Sequence, residues 1–139
     1  MLKKLAVSLG VFVIVFGTLF IPRTHAATMW GPSQWRTDDG KYELKIRTTS
    51  KERYVWVQVY NLYLKGNGRN EPFFGSHNKL KVRLCSASTG NCTSYKNFTT
   101  VDGLAWFFDM KPATYYVDVR DPYPDHYIKG WIQAETYSP

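Results

Sequence analysis

The chain has 139 residues, of which 44% are hydrophobic and 17% aromatic, with a formal net charge of +7 at pH 7. That length holds one domain behind a short leader, and two cysteines are too few for a disulfide-rich scaffold or a zinc module of paired Cys-x-x-Cys motifs. The positive excess is too mild to mark a nucleic-acid binder.

Residues 1–26 have the layout of a secretory leader. Met1-Leu2-Lys3-Lys4 is basic, Leu5 to Ile21 is uncharged and largely apolar, and Thr24 and Ala26 are small enough for the −3 and −1 positions of a cut after Ala26. The rival reading is a retained anchor. An apolar run of about 17 residues is at the lower limit for spanning a bilayer, and Pro22-Arg23 ends it abruptly. The pattern therefore predicts cleavage, with no stable membrane insertion afterwards. Residues 27–139 are expected to be one secreted domain, extracellular or associated with a cell wall. Loss of Lys3, Lys4 and Arg23 leaves 15 basic against 11 acidic residues, a net of +4, which suits solubility or an anionic surface. The short Lys-Lys start reads as bacterial, so the glycosylation-type triplets Asn91-Cys92-Thr93 and Asn97-Phe98-Thr99 are read as coincidental.

Beyond the leader the hydrophobic period is that of strands. Lys41–Arg47 alternates, with Tyr42, Leu44 and Ile46 on one side and Lys41, Glu43, Lys45 and Arg47 on the other. Arg53–Leu64 is a long strand with Val55, Val57 and Val59 on one face and Tyr54, Trp56, Gln58 and Tyr60 on the other. After an irregular Phe73–Asn78, Leu80–Cys85 alternates again, followed by Thr93–Phe98, Leu104–Asp109, Thr114–Arg120 and Ile128–Thr136. Asp38-Asp39-Gly40, Lys65-Gly66-Asn67-Gly68, Ser88-Thr89-Gly90-Asn91, Asp102-Gly103 and Asp121-Pro122-Tyr123-Pro124 punctuate these runs as turns. Seven or eight short strands at this spacing predict an all-β fold, a small antiparallel β-sandwich of jelly-roll or immunoglobulin-like kind.

Cys85 and Cys92 are expected to form a disulfide in an oxidising compartment. If they face each other across a hairpin, the pairing indices sum to 177. Val82 then lies opposite Tyr95 and Lys81 opposite Lys96, which puts Tyr95 in the core with Leu80, Val82 and Leu84. A bulge near Gly90 would break that register.

Signatures of catalysis are sparse: no Gly-x-Ser-x-Gly, no His-Glu-x-x-His and no phosphate-binding glycine loop is present. Glu71, Arg69, His77 and His126 are the residue types a small ribonuclease needs, but their spacing is not diagnostic. Asp125-His126 beside Asp121 reads as a polar loop. Asp118, Asp121 and Asp125 lie within eight residues, and the sequence leaves open whether they bind calcium or are solvated turn acids. No metal or cofactor is expected.

The strongest functional signal is the aromatic load. Five Trp and ten Tyr lie beyond the leader, more rings than so small a core hides. Tyr54, Trp56, Gln58 and Tyr60, then Tyr116 and Arg120, then Trp131 and Gln133 occupy the non-aliphatic sides of three strands. Rings flanked by amides and charges suit sugars, which stack apolar C–H faces on the rings and hydrogen-bond through their hydroxyls. These eight residues are the candidate ligand-binding set. Burial of the same rings between sheets is the competing explanation. The sequence thus points first to a secreted, non-enzymatic module for an extracellular polysaccharide or cell-wall polymer. An extracellular protein-interaction factor, such as an inhibitor, toxin-like or adhesion component, is the alternative; a ribonuclease-like hydrolase comes third. Nucleic acid is not an expected partner.

Overall fold

In the computed structural model, residues 26–73 and 77–139 are described. The predicted leader lies outside the described residues except for Ala26, and so do Phe74, Gly75 and Ser76 of the expected irregular segment. The described residues form nine strands in chain order: β1 (Ala27–Arg36), β2 (Leu44–Arg47), β3 (Tyr54–Gly66), β4 (Arg69–Pro72), β5 (Lys81–Ser86), β6 (Lys96–Asn97), β7 (Leu104–Phe107), β8 (Thr114–Arg120) and β9 (Tyr127–Tyr137). A single 3-10 turn, His77–Lys79, leads into β5.

The strands make two antiparallel sheets, as a small β-sandwich requires. The first runs β1-β9-β3-β4, with β7 also paired to β3; the second runs β2-β8-β5-β6. Strand β3 is the spine of the first sheet. One of its edges pairs with β9, while the other is shared, Val55–Gln58 with β7 and Tyr63–Gly66 with β4. Between those halves the register slips, with Asn61 at φ 50°. The slip inverts which side of the strand faces inward, as an inserted residue must. Val55, Val57 and Val59 are buried before it, Leu62 and Leu64 after it, and Tyr63 is turned out to solvent. Gly130 of β9 sits against this bulge. A Cβ there would come within 2.9 Å of the Tyr60 carbonyl oxygen and 2.6 Å of the Leu62 side chain, so the position has room for glycine alone.

The interior is where alternation placed it. Val55, Val57, Val59, Ile128, Ile132 and Ala134 from the first sheet meet Ile46, Val82, Leu84 and Val117 from the second, all fully buried. Each such aliphatic side chain contributes roughly 1.5–3 kcal/mol on leaving water. Phe98 and Phe107 close the corner where the chain passes from β6 to β7. Buried threonines tie the loops to this core. The Thr37 hydroxyl donates to Asp121 and accepts from the Ile128 N–H at 3.0 Å, and Thr48 donates to the Lys111 carbonyl at 2.7 Å.

Several expectations are corrected. Strand β1 was not among the expected strands, and it carries the dipeptide Gly31-Pro32. Proline is tolerated here because β1 is an edge strand and the dipeptide sits in a bulge between Trp30 and Ser33. Strand β4 (Arg69–Pro72) was not among the expected strands and follows directly on the Lys65-Gly66-Asn67-Gly68 turn. The alternation of Lys41–Arg47 fails at its start: β2 begins at Leu44, Glu43 is half-buried, and Tyr42 lies exposed and stacked on Tyr116. The Cys85–Cys92 disulfide is present and the two residues face each other, but Val82 pairs with Lys96 and Lys81 with Asn97. One extra residue between Cys92 and Lys96 shifts the register. Tyr95 therefore leaves the core and joins the outer face of the second sheet.

Candidate functional site

Alternation on β3 and β9 drives aliphatic side chains inward and leaves rings and amides on the outer face of the first sheet. The register places them side by side. Trp56 pairs with Glu135 of β9 on one side and with Trp106 of β7 on the other. Gln58 lies opposite Gln133, Tyr60 opposite Trp131, and Tyr54 opposite Tyr137. Strands rise about 3.3 Å per residue, so Trp56 and Tyr60 stand roughly 13 Å apart along the strand, with Gln58 midway.

The rings are neither buried nor stranded in solvent. Trp56, Tyr60 and Trp131 are half-buried, Trp106 is 38% exposed, and Phe108 beside it is 56% exposed. Tyr54 is held edge-on between Phe108 at 5.2 Å and Tyr137 at 5.7 Å. Such edge-to-face pairs fix ring orientation and contribute roughly 0.5–1.5 kcal/mol beyond area burial. Burial, with Glu135 and Tyr54 nearby, raises the Tyr137 phenol above its usual range, so it remains a neutral hydroxyl at neutral pH. Lys96 reaches across from the second sheet: its ammonium donates to the Trp106 carbonyl at 2.6 Å and lies 4.8 Å from the Phe107 ring centre. That contact braces the outermost strand of the ring row.

The amides are arranged in sequence. Gln133 Nε2 donates to Gln58 Oε1 at 2.9 Å, and Gln58 Nε2 donates to the Asp102 carbonyl at 3.1 Å. The chain fixes both side chains and leaves Gln133 Oε1 as an acceptor toward a ligand. Next to it, a cleft of about 420 Å³ opens at the β3 edge between β4 and β7, lined among others by Gln58, Tyr60, Tyr63, His77 and Asp102.

Six members of the candidate set, Tyr54, Trp56, Gln58, Tyr60, Trp131 and Gln133, thus share one face. Tyr116 and Arg120 do not. Strand β8 is hydrogen-bonded between β2 and β5, so its polar side forms the opposite surface of the sandwich. Alternation shows which residues turn away from the core, but not from which sheet. There Tyr116 stacks on Tyr42 at 4.7 Å, and Arg120 lies 4.0 Å from the centre of the Tyr95 ring. Trp106, Phe108, Glu135 and Tyr137 join the first face without having been in the set. The alternation of Leu104, Trp106 and Phe108 against Ala105 and Phe107 was the available signal for two of them.

The candidate catalytic residues stay apart. Arg69 and Glu71 form an exposed ion pair at 3.5 Å on β4, the His77 ring bonds the Thr100 carbonyl at 2.9 Å, and His126 packs edge-on to Tyr123. The three aspartates are likewise divided. Asp118 accepts from Arg83 at 2.7 Å and from Tyr95, Asp121 caps the Tyr123 N–H and Thr37, and Asp125 is exposed. Among the described residues no group of three or more His, Cys, Asp or Glu side chains is gathered as metal ligands.

No protein-family model matches the chain, and no curated protein matches it. Among solved structures it is similar to that of the giant freshwater prawn Macrobrachium rosenbergii extra small virus virus-like particle. The two share 7% identity over 84% of each chain, with a TM-score of 0.24.

Proposed function

We propose that this protein is an exported, non-enzymatic binding module that holds an extracellular polysaccharide on the outer face of its first sheet. The observation that carries the reading is the row Trp106–Trp56 and the pair Tyr60–Trp131, separated by the hydrogen-bonded Gln58–Gln133 pair, all on one open face. Partly exposed rings gathered in this way suit an interaction surface. Their spacing suits an extended glycan whose sugar rings lie along β3, with hydroxyls meeting Gln133, Glu135 and the carbonyls at the cleft. The disulfide fits an oxidising compartment, and among the described residues no helix is long and apolar enough to cross a membrane.

Retention of the purified protein on insoluble polysaccharides, with release by the matching soluble oligosaccharide, tests the reading. Loss of retention on Trp56→Ala and Trp106→Ala in folded protein supports it. No retention on any glycan, or retention untouched by both substitutions, overturns it; an extracellular protein partner on the same rings would then be the reading to pursue.

A further inference from the structure

A row of cations lies on the side away from the ring platform. On the outer face of the second sheet the register gathers Lys45 and Arg47 of β2, Lys81 and Arg83 of β5, and Arg120 of β8, with Asp118 as the only carboxylate in these rows. Five cations against one carboxylate give these rows an excess of four. Asp38 and Asp39 of the β1–β2 turn border it near Arg120.

The arrangement opposes the sheet's own stability. Lys81 and Arg120 are direct cross-strand partners, a like-charge pairing that costs free energy. Arg83 and Arg120 converge on one ring, 4.6 and 4.0 Å from the centre of Tyr95. Asp118 is engaged by Arg83, and among the described residues Lys45, Arg47, Lys81 and Arg120 take part in no ion pair. A bound anion relieves that repulsion.

From this we infer a second binding surface, independent of the glycan platform, for a linear phosphodiester polymer that carries no aromatic bases. The face is an open sheet rather than a pocket, so its ligand is extended. Guanidinium groups already oriented by Tyr95 match phosphate oxygens with two parallel donors each. Base stacking is poorly served, because of the rings on this face Tyr42 alone is open, at 52% exposed, while Tyr95 is covered by two guanidiniums and Tyr116 by Tyr42. That favours a polymer recognised by repeating charge over single-stranded nucleic acid, which needs free ring faces.

Poly(glycerol phosphate) is the probe, with an oligo(dT) of equal charge and vesicles containing anionic phosphatidylglycerol as comparison arms. Binding of poly(glycerol phosphate) is expected to weaken linearly on a log–log plot against salt. The Lys81→Gln/Arg120→Gln variant should lose about tenfold or more in affinity at low salt, and its salt slope should fall by about two. Its denaturation midpoint should stay close to the parent's, because removing a repulsive pair offsets the loss of the Arg120–Tyr95 contact, so lost binding is not lost folding. Trp106→Ala should bind poly(glycerol phosphate) like the parent, which separates this surface from the glycan platform. Absence of salt-dependent binding, an unchanged slope in the double variant, tighter binding of oligo(dT), or binding to vesicles alone would each overturn the inference.

Discussion

The carboxyl group of Glu43 accepts a hydrogen bond from the backbone N–H of Val119, 2.7 Å away, where β2 begins beside β8. Burial raises its pKa to about 8; the Val119 bond pulls the other way, and the nearby Asp118 charge adds to the rise. In the folded protein Glu43 is therefore protonated at pH values where the unfolded chain has released the proton. Between about pH 4.5 and pH 8 the native state holds the extra proton, so stability falls as pH rises, by roughly 1.4 kcal/mol per unit at most. Glu43→Gln keeps the acceptor for Val119 without the charge. Chemical denaturation at pH 5, 6.5 and 8 should show a declining stability for the parent and a flatter, higher curve for the variant near pH 8.

The platform rings should separate from core rings in their energetics. Trp106→Ala removes a side chain that is 38% exposed and should cost about 1 kcal/mol or less of folding stability, but roughly 1–3 kcal/mol of glycan affinity. Its neighbour Phe107 is 1% exposed, and Phe107→Ala should cost roughly 3–5 kcal/mol of stability. Denaturation midpoints alongside affinities measured on the folded variants test the contrast. Trp56→Ala and Trp131→Ala fall between these limits if the outer face is a platform; a loss as large as that of Phe107→Ala for both would make them core.

Replacing Cys85 and Cys92 together by Ser opens a loop closed over a sequence separation of 7. Loop-closure entropy puts the loss at about 2.5 kcal/mol, which lowers the melting temperature of a domain this size by several degrees. Glycan retention at low temperature should persist, because the disulfide lies at one end of the second sheet, away from the ring row. A scan of thermal unfolding with and without reductant gives the same comparison without mutation.

Gly130→Ala should destabilise by roughly 1–3 kcal/mol despite the higher intrinsic fitness of alanine for a strand. The added methyl meets the Tyr60 carbonyl and Leu62 at the β3 bulge. Because that bulge sets the turn from Tyr60 to Tyr63, the variant should also weaken glycan retention, as read by titration at a temperature where it remains folded.

The inward valines of β3 and the isoleucines of β9 were legible as sequence, because a period of two with aliphatics on one side has few other solutions. The same pattern identified Trp56 and Trp131 as outward-facing. What it did not carry was register. The shift between Cys92 and Lys96 moved Tyr95 from the expected core to a bed for two arginines, and no local residue type announces it. Tyr116 and Arg120 were grouped with the platform because alternation is identical on either side of a sandwich. The burial of Glu43 broke a run of apparently strict alternation, since a carboxyl paired with a backbone N–H satisfies the same position as an apolar residue. Strand β1 was not expected; its Gly31-Pro32 is accommodated by the bulge in an edge strand.

Strand β9 sits between β1 and β3, yet follows β3 by some sixty residues and β1 by about ninety. The first sheet is therefore incomplete until Tyr127–Tyr137 has been made: among the described residues β1 has no other strand partner, and β3 lacks its longest ladder. A chain emerging residue by residue can pair β3 with β4 and β7, but cannot add β1 to the sheet until β9 follows. For a protein exported as we propose, late completion of the first sheet is an advantage, since the export pore then never meets a finished fold. The cost is exposure of the valine-rich β3 throughout that interval, which makes the stretch from Val55 to Val59 the segment most in need of a holding chaperone.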